Sequence, residues 1–263
     1  MSNYKIFVIN LDRSPERLAG MKKQLDAIGV GFERVEAVDG RNLGDDELER
    51  VSPAHIVSKS YHRALSKAEV ACSMSHRKAW QKIVDDDLAF GIVLEDDVEL
   101  LDNFADVLRL LESLPNEGWD FIKLFPLRRG GEKNISKRFD YMGHTFVIYH
   151  RFPLGFQGQA ISREGARAML EHLPYVTEPA DSQLKSWWEA GVYPYGLLPY
   201  CLTTDIGGAS DINPDGKLEQ MQQNKWVKAT NKVRRSFRRL WSTPKLNRRF
   251  REFTGSLESR ARQ

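Results

Sequence analysis

The chain has 263 residues, 41% of them hydrophobic and 29% charged, with 19 Gly and 11 Pro. That composition excludes collagen-like, intrinsically disordered and disulfide-scaffold classes and leaves enough chain to bury a substantial core. The formal net charge of +3 conceals an asymmetry: residues 225–263 carry 13 Lys or Arg against two acids, a net of +11, and the remainder, with 26 basic and 34 acidic residues, stands at −8.

An acidic body with a basic tail suggests a body that binds or catalyses and a tail addressed to a negatively charged surface. The first apolar run is cut off at Asp12, too short for a signal-peptide core or a membrane span. Cys72 and Cys201 lack metal-ligand spacing and read as reduced thiols of a cytosolic protein.

In chain order, Tyr4 to Leu11 reads as a buried strand, followed by Ser14-Pro15 as N-cap and first residue of a helix. Leu18, Met21, Leu25 and Ile28 continue that helix to Gly29. Phe32 to Val38 reads as a second strand, and Leu43 to His62 as a polar, partly helical stretch. A long helix over Ser66 to Val84 places Cys72, His76, Trp80 and Ile83 on one face. Leu88 to Leu94 is the most apolar strand candidate and runs into Glu95-Asp96-Asp97. Next come a helix over Phe104 to Leu114, a strand over Trp119 to Phe125 and a charged loop from Arg128 to Asp140. Strands near His144 to Tyr149 and Gln159 to Ser162 precede helices over Arg163 to Leu173 and Asp181 to Ala190, and a strand near Val192 to Leu198 completes the body. Strands alternating with helices predict a mainly parallel sheet flanked by helices, with antiparallel pairing late in the chain.

Ligands in open α/β sheets bind beyond the carboxyl ends of the strands, so the acid trio after Leu94 is the first candidate for chemistry. A strand continuing through it would set Glu95, Asp97 and Glu99 on one face and Asp96 on the other. Mg²⁺ or Mn²⁺ takes one or two carboxylates plus substrate phosphate oxygens, which an acid-x-acid pair at a strand end satisfies; the alternative is a solvated acidic turn.

Near the first strand, Asp12 offers acceptors to a ribose or base edge, and Arg13 or Arg17 a cation to phosphate at a helix N-terminus; a capped helix with a surface ion pair explains the same residues. His76 alone on its helix reads as a packed, hydrogen-bonded side chain. Asp181 follows Pro179 as a helix cap or, projecting into a cleft, as a general base. The glycines of Gly155-Phe-Gln-Gly158 read as turn residues or as points of close backbone approach to a ligand.

In the tail, Trp226, Val233, Phe237, Leu240 and Trp241 recur at helical spacing among arginines, and after Pro244 the pattern resumes with Leu246, Phe250 and Phe253. This is the pattern of a basic amphipathic helix lying on an anionic membrane, a reading placed ahead of nucleic-acid contact and of an oligomerisation helix.

The stretches Ile6-Phe-Val-Ile-Asn-Leu-Asp-Arg-Ser-Pro-Glu-Arg17, Phe32-Glu-Arg-Val-Glu-Ala-Val-Asp-Gly40, Glu69-Val-Ala-Cys-Ser-Met-Ser-His-Arg-Lys-Ala-Trp80 and Ile92-Val-Leu-Glu-Asp-Asp-Val98, in that order, resemble glycosyltransferase family 25, the bacterial lipopolysaccharide and lipooligosaccharide galactosyltransferase type. Gly158-Gln-Ala-Ile-Ser-Arg-Glu-Gly-Ala166 and Pro179-Ala-Asp181 add weaker support, and the resemblance covers roughly residues 4 to 212. It implies a GT-A-like, Rossmann-related domain over 1–215; the basic helical tail over 216–263, read from its own residues, lies outside the resemblance. It further implies a UDP-sugar donor, commonly UDP-galactose, and transfer with inversion to a saccharide or lipid-linked glycan acceptor. Under the resemblance Asp97 and Glu95 hold Mn²⁺ or Mg²⁺. Asn10, Asp12, Arg13, Arg17, Asp39, Ser75 and His76 line the donor site, Asp96 is open between metal and sugar, and Asp181 becomes the base. The combined expectation is a cytoplasmic enzyme held peripherally at the inner membrane face by its tail; the alternatives are a non-catalytic nucleotide-sugar or nucleic-acid binding module, and a phosphohydrolase using the same carboxylates.

Overall fold

The apolar run Ile6-Phe-Val-Ile9 is buried throughout, as a strand covered on both faces must be, and it forms β1 (Tyr4–Asn10) near one edge of the main sheet. In the computed structural model, which describes residues 3–126, 131–204 and 223–262, β1 pairs in parallel with β2 (Glu33–Glu36) and β3 (Phe90–Glu95). The short β4 (Val98–Leu100) leaves this sheet, which continues through β5 (Phe121–Lys123), β6 (Ile135–Tyr141), β7 (His144–Tyr149), β8 (Gly158–Ser162) and β9 (Pro194–Leu198) in the order β2-β1-β3-β8-β5-β9-β7-β6. Antiparallel pairing confined to β8 and β7 leaves six of the eight strands running one way. The expected architecture, a mostly parallel sheet flanked by helices with a helix at the C-terminus, is therefore present.

Local signals place the helices. Pro15 opens α1 (Pro15–Ala27), and Gly29, at φ +70°, supplies the left-handed residue that lets the chain leave it. The polar stretch forms α2 (Asp45–Val51) and α3 (Ala54–Ser60). Ser66 and Glu69 form a reciprocal capping box at the start of α4 (Lys67–Asp85), which buries His76, Ala79, Trp80 and Ile83. Glu69 also pairs with Arg63 at 2.6 Å, fixing the approach to this helix. Beyond α5 (Phe104–Ser113) and α6 (Arg163–His172) lie α7 (Ala180–Gln183), a 3₁₀ turn and α8 (Trp187–Ala190).

Four expectations change. The strand carrying Glu95 does not continue through the acid trio: Asp96 and Asp97 form a turn, and β4 pairs instead with β10 (Leu202–Thr204), so the 95/97/99 alternation does not hold. Residues 135–140 of the expected charged loop form β6, paired to β7 from Ile135↔Tyr149 to Tyr141↔His144. The helix expected over 181–190 is broken in two by the 3₁₀ turn.

The fourth change concerns the tail, which is one helix, α9 (Lys225–Ala261), running through Pro244. Its second half is part of the body's core: Leu246, Phe250, Phe253 and Leu257 are buried, with Phe253 edge-on to Phe146 at 5.2 Å and stacked on Tyr195 at 5.4 Å. Leu246, Phe250 and Phe253 therefore face protein, not a membrane. The boundary expected at residue 215 lies outside the described residues.

Candidate functional site

β1 and β3 run side by side with Ile9 opposite Glu95, so Asn10 and the acid trio emerge together at the carboxyl end of the sheet. Asn10 is 1% exposed and works as a polar hub. Its Nδ2 donates to Asp96 Oδ2 at 2.6 Å and to the Ser14 carbonyl at 2.8 Å, and its Oδ1 accepts from Arg34 Nε at 3.0 Å. Arg34 also pairs with the exposed Asp12, and Arg17 lies 3.6 Å from the other oxygen of Asp96. The first-strand motif and the acid trio are thus one connected network.

Arg13 donates to Asp39 at 3.1 Å, and Arg41 engages the same carboxylate through its guanidinium and its backbone N–H. Those hydrogen bonds, Arg41's side chain first, hold the Asp39 carboxyl down at about 2. Ser75's buried hydroxyl donates to the Ala71 carbonyl at 2.8 Å and accepts from the Val38 N–H at 2.9 Å, which pins the chain after β2 to α4.

His76 reaches from α4 into the same cluster. Its Nε2 lies 3.1 Å from Glu95 Oε1 and its Nδ1 3.1 Å from Gln159 Nε2, with the Phe156 ring set edge-on at 5.4 Å. The two ring nitrogens are thus held between the Gln159 amide on one side and the Glu95 carboxylate on the other. The packed and the functional readings of this histidine meet in one side chain, 1% exposed yet in contact with a cleft carboxylate.

Asp97 is exposed by surface area, yet it is crowded by surrounding protein. Desolvation first, then the charges of Glu95 and Asp96, lift its carboxyl to about 6, with Arg17 opposing. Negative charge so concentrated is what a divalent cation relieves. Glu95 and Asp97 fit Mg²⁺ or Mn²⁺ as two hard oxygen donors that leave the other positions to a substrate. Among the described residues the group of three ligating side chains is a different one, Cys72, His76 and Glu95, with donor atoms within 4.8 Å of one another. Burial holds the Cys72 thiol well above its usual range and so protonated, which makes it a poor partner for such a hard ion.

Asp181, the first-turn acid of α7, comes to this cleft too. Burial raises its carboxyl above the usual range; Lys185, a 3.2 Å hydrogen bond from the Gly155 N–H and Lys123 pull it back, and Glu95 adds to the rise. Gly155 adopts φ +98°, a conformation L side chains rarely take, and a Cβ there would sit 2.7 Å from Gln157 Oε1. Its position between Asp181 and Lys123 therefore requires glycine.

Three contributors were not singled out from the sequence, Arg34, Lys123 and Gln159, whereas Gly155 was, as a turn residue or a point of close backbone approach. Lys123 and Gln159, both 0% exposed, are opposed across β5 and β8, and Lys123 Nζ donates to the carbonyls of Leu154, at 3.0 Å, and Gly155. A polar residue inside an otherwise buried strand is the available signal for these two. Arg34 carries no such mark, because its role exists only once β2 lies beside β1.

A family model described as Glycosyltransferase family 25 (LPS biosynthesis protein) matches residues 3–184. A protein of Aedes aegypti named glycosyltransferase 25 family member is 29% identical over 246 residues, covering 83% of this chain and 39% of that protein. A Mus musculus protein named inactive glycosyltransferase 25 family member 3 is 33% identical over 177 residues, 65% of this chain and 29% of its own length. The chain thus spans about two fifths or less of these relatives. The crystal structure of a glycosyltransferase involved in the glycosylation of the major capsid of PBCV-1 superposes with a TM-score of 0.37 at 11% identity, covering 71% of this chain and 76% of that one. The family match takes in Asn10, His76, the acid trio and Asp181, and the chain belongs to glycosyltransferase family 25.

Proposed function

We propose that this protein is a metal-dependent, inverting glycosyltransferase. It moves a hexose, galactose first among the candidates, from a UDP-sugar to a saccharide acceptor of lipopolysaccharide, lipooligosaccharide or a related lipid-linked surface glycan. The observation that carries the reading is the convergence of Glu95, Asp96, Asp97 and Asp181 at the carboxyl ends of the strands, with Asp97 lifted to about 6 by crowding and by its acidic neighbours. Glu95 and Asp97 would hold a divalent ion, whose chemistry is to neutralise the charge of a departing diphosphate. Asn10 and Arg17 fix Asp96, and Arg13 and Asp39 would serve the donor nucleotide as an ion pair. Asp181, with its carboxyl raised by burial, is suited to accept the proton of an acceptor hydroxyl attacking the sugar from the face opposite the leaving group.

Thermal-shift measurements with a panel of UDP-sugars, with and without Mn²⁺, test this reading. UDP-galactose is expected to stabilise the wild type when Mn²⁺ is present, and Asp97→Asn to abolish the metal-dependent part and lower transfer by about a hundredfold or more. Equal donor stabilisation with and without metal, unchanged in the variant, would count against the site. The name of the mouse relative favours a second reading, a non-catalytic module that binds the donor without turnover. It predicts Mn²⁺-dependent donor binding with neither transfer nor donor hydrolysis.

The partner surface follows from α9. Among the described residues no helix is long and apolar enough to cross a membrane. The first half of α9 nevertheless presents Trp226 (82% exposed), Val233, Phe237, Leu240 and Trp241 (75%) on one face, with arginines on either side. An anionic membrane surface, at the cytoplasmic face of the inner membrane, is the partner this face suits, and there it would meet a lipid-linked acceptor.

A further inference from the structure

A cleft of about 460 Å³ opens between α8 and α9, apart from the carboxylates. Trp187, Trp188 and Tyr193 line it from the body, Phe237 and Trp241 from the helix. Arg238 and Lys245 are its charged lining residues; Arg238 pairs with Glu189 of α8 at 3.5 Å, which leaves Lys245 as the cation facing the cleft without a carboxylate beside it. Lys245 Nζ lies 5.7 Å and the Arg249 guanidinium 5.1 Å from the centre of the Tyr193 ring, so positive charge collects along one wall.

Flat aromatic walls beside Lys245, with Arg249 over the same tyrosine ring, suit one ligand chemistry, a sugar ring that stacks on indole or phenol faces and carries a negative substituent. Purely aliphatic ligands make no use of the cation. The cleft is tied to the catalytic centre by the chain itself, since the short segment from α7 to α8 carries Asp181 at one end and Trp187 and Trp188 at the other. From the α9 side, Arg235 pairs with Glu178, three residues before Asp181, at 2.5 Å.

We propose that this cleft is a subsite for an acidic saccharide, the portion of the acceptor remote from the reacting hydroxyl. The subsite rests on the transferase reading only for the statement that its ligand is an acceptor; the binding chemistry stands without it.

The test uses the full chain without donor or metal, and as probes paired neutral and acidic disaccharides, the acidic members bearing a uronic acid or a 6-phosphate. Saturation-transfer NMR and tryptophan fluorescence are expected to show the acidic members bound at least tenfold more tightly than the neutral ones, with the preference shrinking in high salt. Trp241→Ala and Lys245→Ala should each weaken binding at least tenfold with the melting temperature unchanged, while Trp226→Ala and Asp97→Asn leave it intact. The proposal is overturned by an absence of binding, by binding that persists in both cleft variants or disappears in Asp97→Asn, or by a cleft that takes a short-chain anionic phospholipid and no disaccharide. Donor binding measured on the same preparation keeps the two ideas apart: its loss strikes the transferase reading, and loss of saccharide binding with donor binding intact strikes this one.

Discussion

The two halves of α9 have nearly the same kind of sequence and opposite fates. Before Pro244, Trp226, Val233, Phe237, Leu240 and Trp241 stand in solvent; after it, Leu246, Phe250, Phe253 and Leu257 are 0–4% exposed and fill the space beside Tyr195 and Phe146. Both halves interleave arginine with aromatics at helical spacing. An amphipathic pattern therefore tells which side of a helix is apolar and nothing about what covers it. The consequence is functional as well as structural: because the second half is a fixed part of the core, the first half is held in one orientation over α3 and the Asp181 segment, with Asn231 bonded to the Ser60 carbonyl and Arg235 to Glu178.

The sharpest way to break this comparison is to truncate one aromatic in each half. Phe253→Ala removes a ring that is 1% exposed and touches two others, and is expected to cost about 3–5 kcal/mol in denaturant unfolding. Trp241→Ala, at 75% exposure, should stay within about 0.5 kcal/mol. Similar losses would mean that the halves do not differ. For the same reason, deleting the whole helix is predicted to unfold the body, so an anchoring role has to be tested by surface substitutions in the first half.

A smaller effect is expected where the first half meets the body. Arg235→Ala leaves Glu178, whose carboxyl burial already raises, without its partner. The cost should be about 2 kcal/mol, below that of a fully buried pair because Arg235 is partly exposed. Adding Glu178→Gln should recover most of it, a double-mutant cycle that measures the pair itself. If Arg235→Ala alone is neutral, the first half does not hold the Asp181 segment.

Smaller again is the membrane term. Trp226→Ala and Trp241→Ala are each expected to weaken co-sedimentation with vesicles rich in anionic phospholipid by about tenfold, the equivalent of ~1–2 kcal/mol of buried aromatic surface. High salt should weaken the wild type in the same direction. Binding unmoved by both substitutions would remove the membrane from the account of this face.

How much was legible beforehand follows a physical divide between local and non-local causes. Pro15 after Ser14, the Ser66/Glu69 box and the apolar runs of β1 and β3 act within a few residues, and the structure has each element where those signals put it. The acid trio was legible as a cluster at a strand end, yet its internal geometry was not, because nothing local marks the turn that ends β3 at Glu95. Lys123, Gln159 and Arg34 acquire their roles from register between strands distant in sequence. The second half of α9 was misread for the same reason, since its cover is formed by β7 and β9, with Phe146 lying 107 residues before the Phe253 it meets.

The smallest effect expected is in pH, and it separates the core-filling half of α9 from the cleft. A carboxyl that titrates at about 6 in the folded protein and near 3.8 in the unfolded chain binds its proton more tightly when folded, so Asp97 opposes folding most above pH 6 and not at all well below pH 4. Asp97→Asn should therefore be more stable than the wild type at pH 7, by less than about 1 kcal/mol since solvent screens so exposed a group, and the gain should fade as pH falls through 6 toward 4. Asp39 acts the other way: held at about 2, it contributes stability above about pH 4 that is lost as pH falls toward 2, outside this window. Comparing variant with wild type at each pH removes the contributions of Glu178 and Asp181, which are common to both. The loss in Phe253→Ala should be the same at pH 4 and pH 7, because no titrating group changes with that ring. A Phe253 effect that varied with pH, or an Asp97 gain that did not, would mean that the carboxylate cluster does not carry the charge strain that makes a divalent cation fit there.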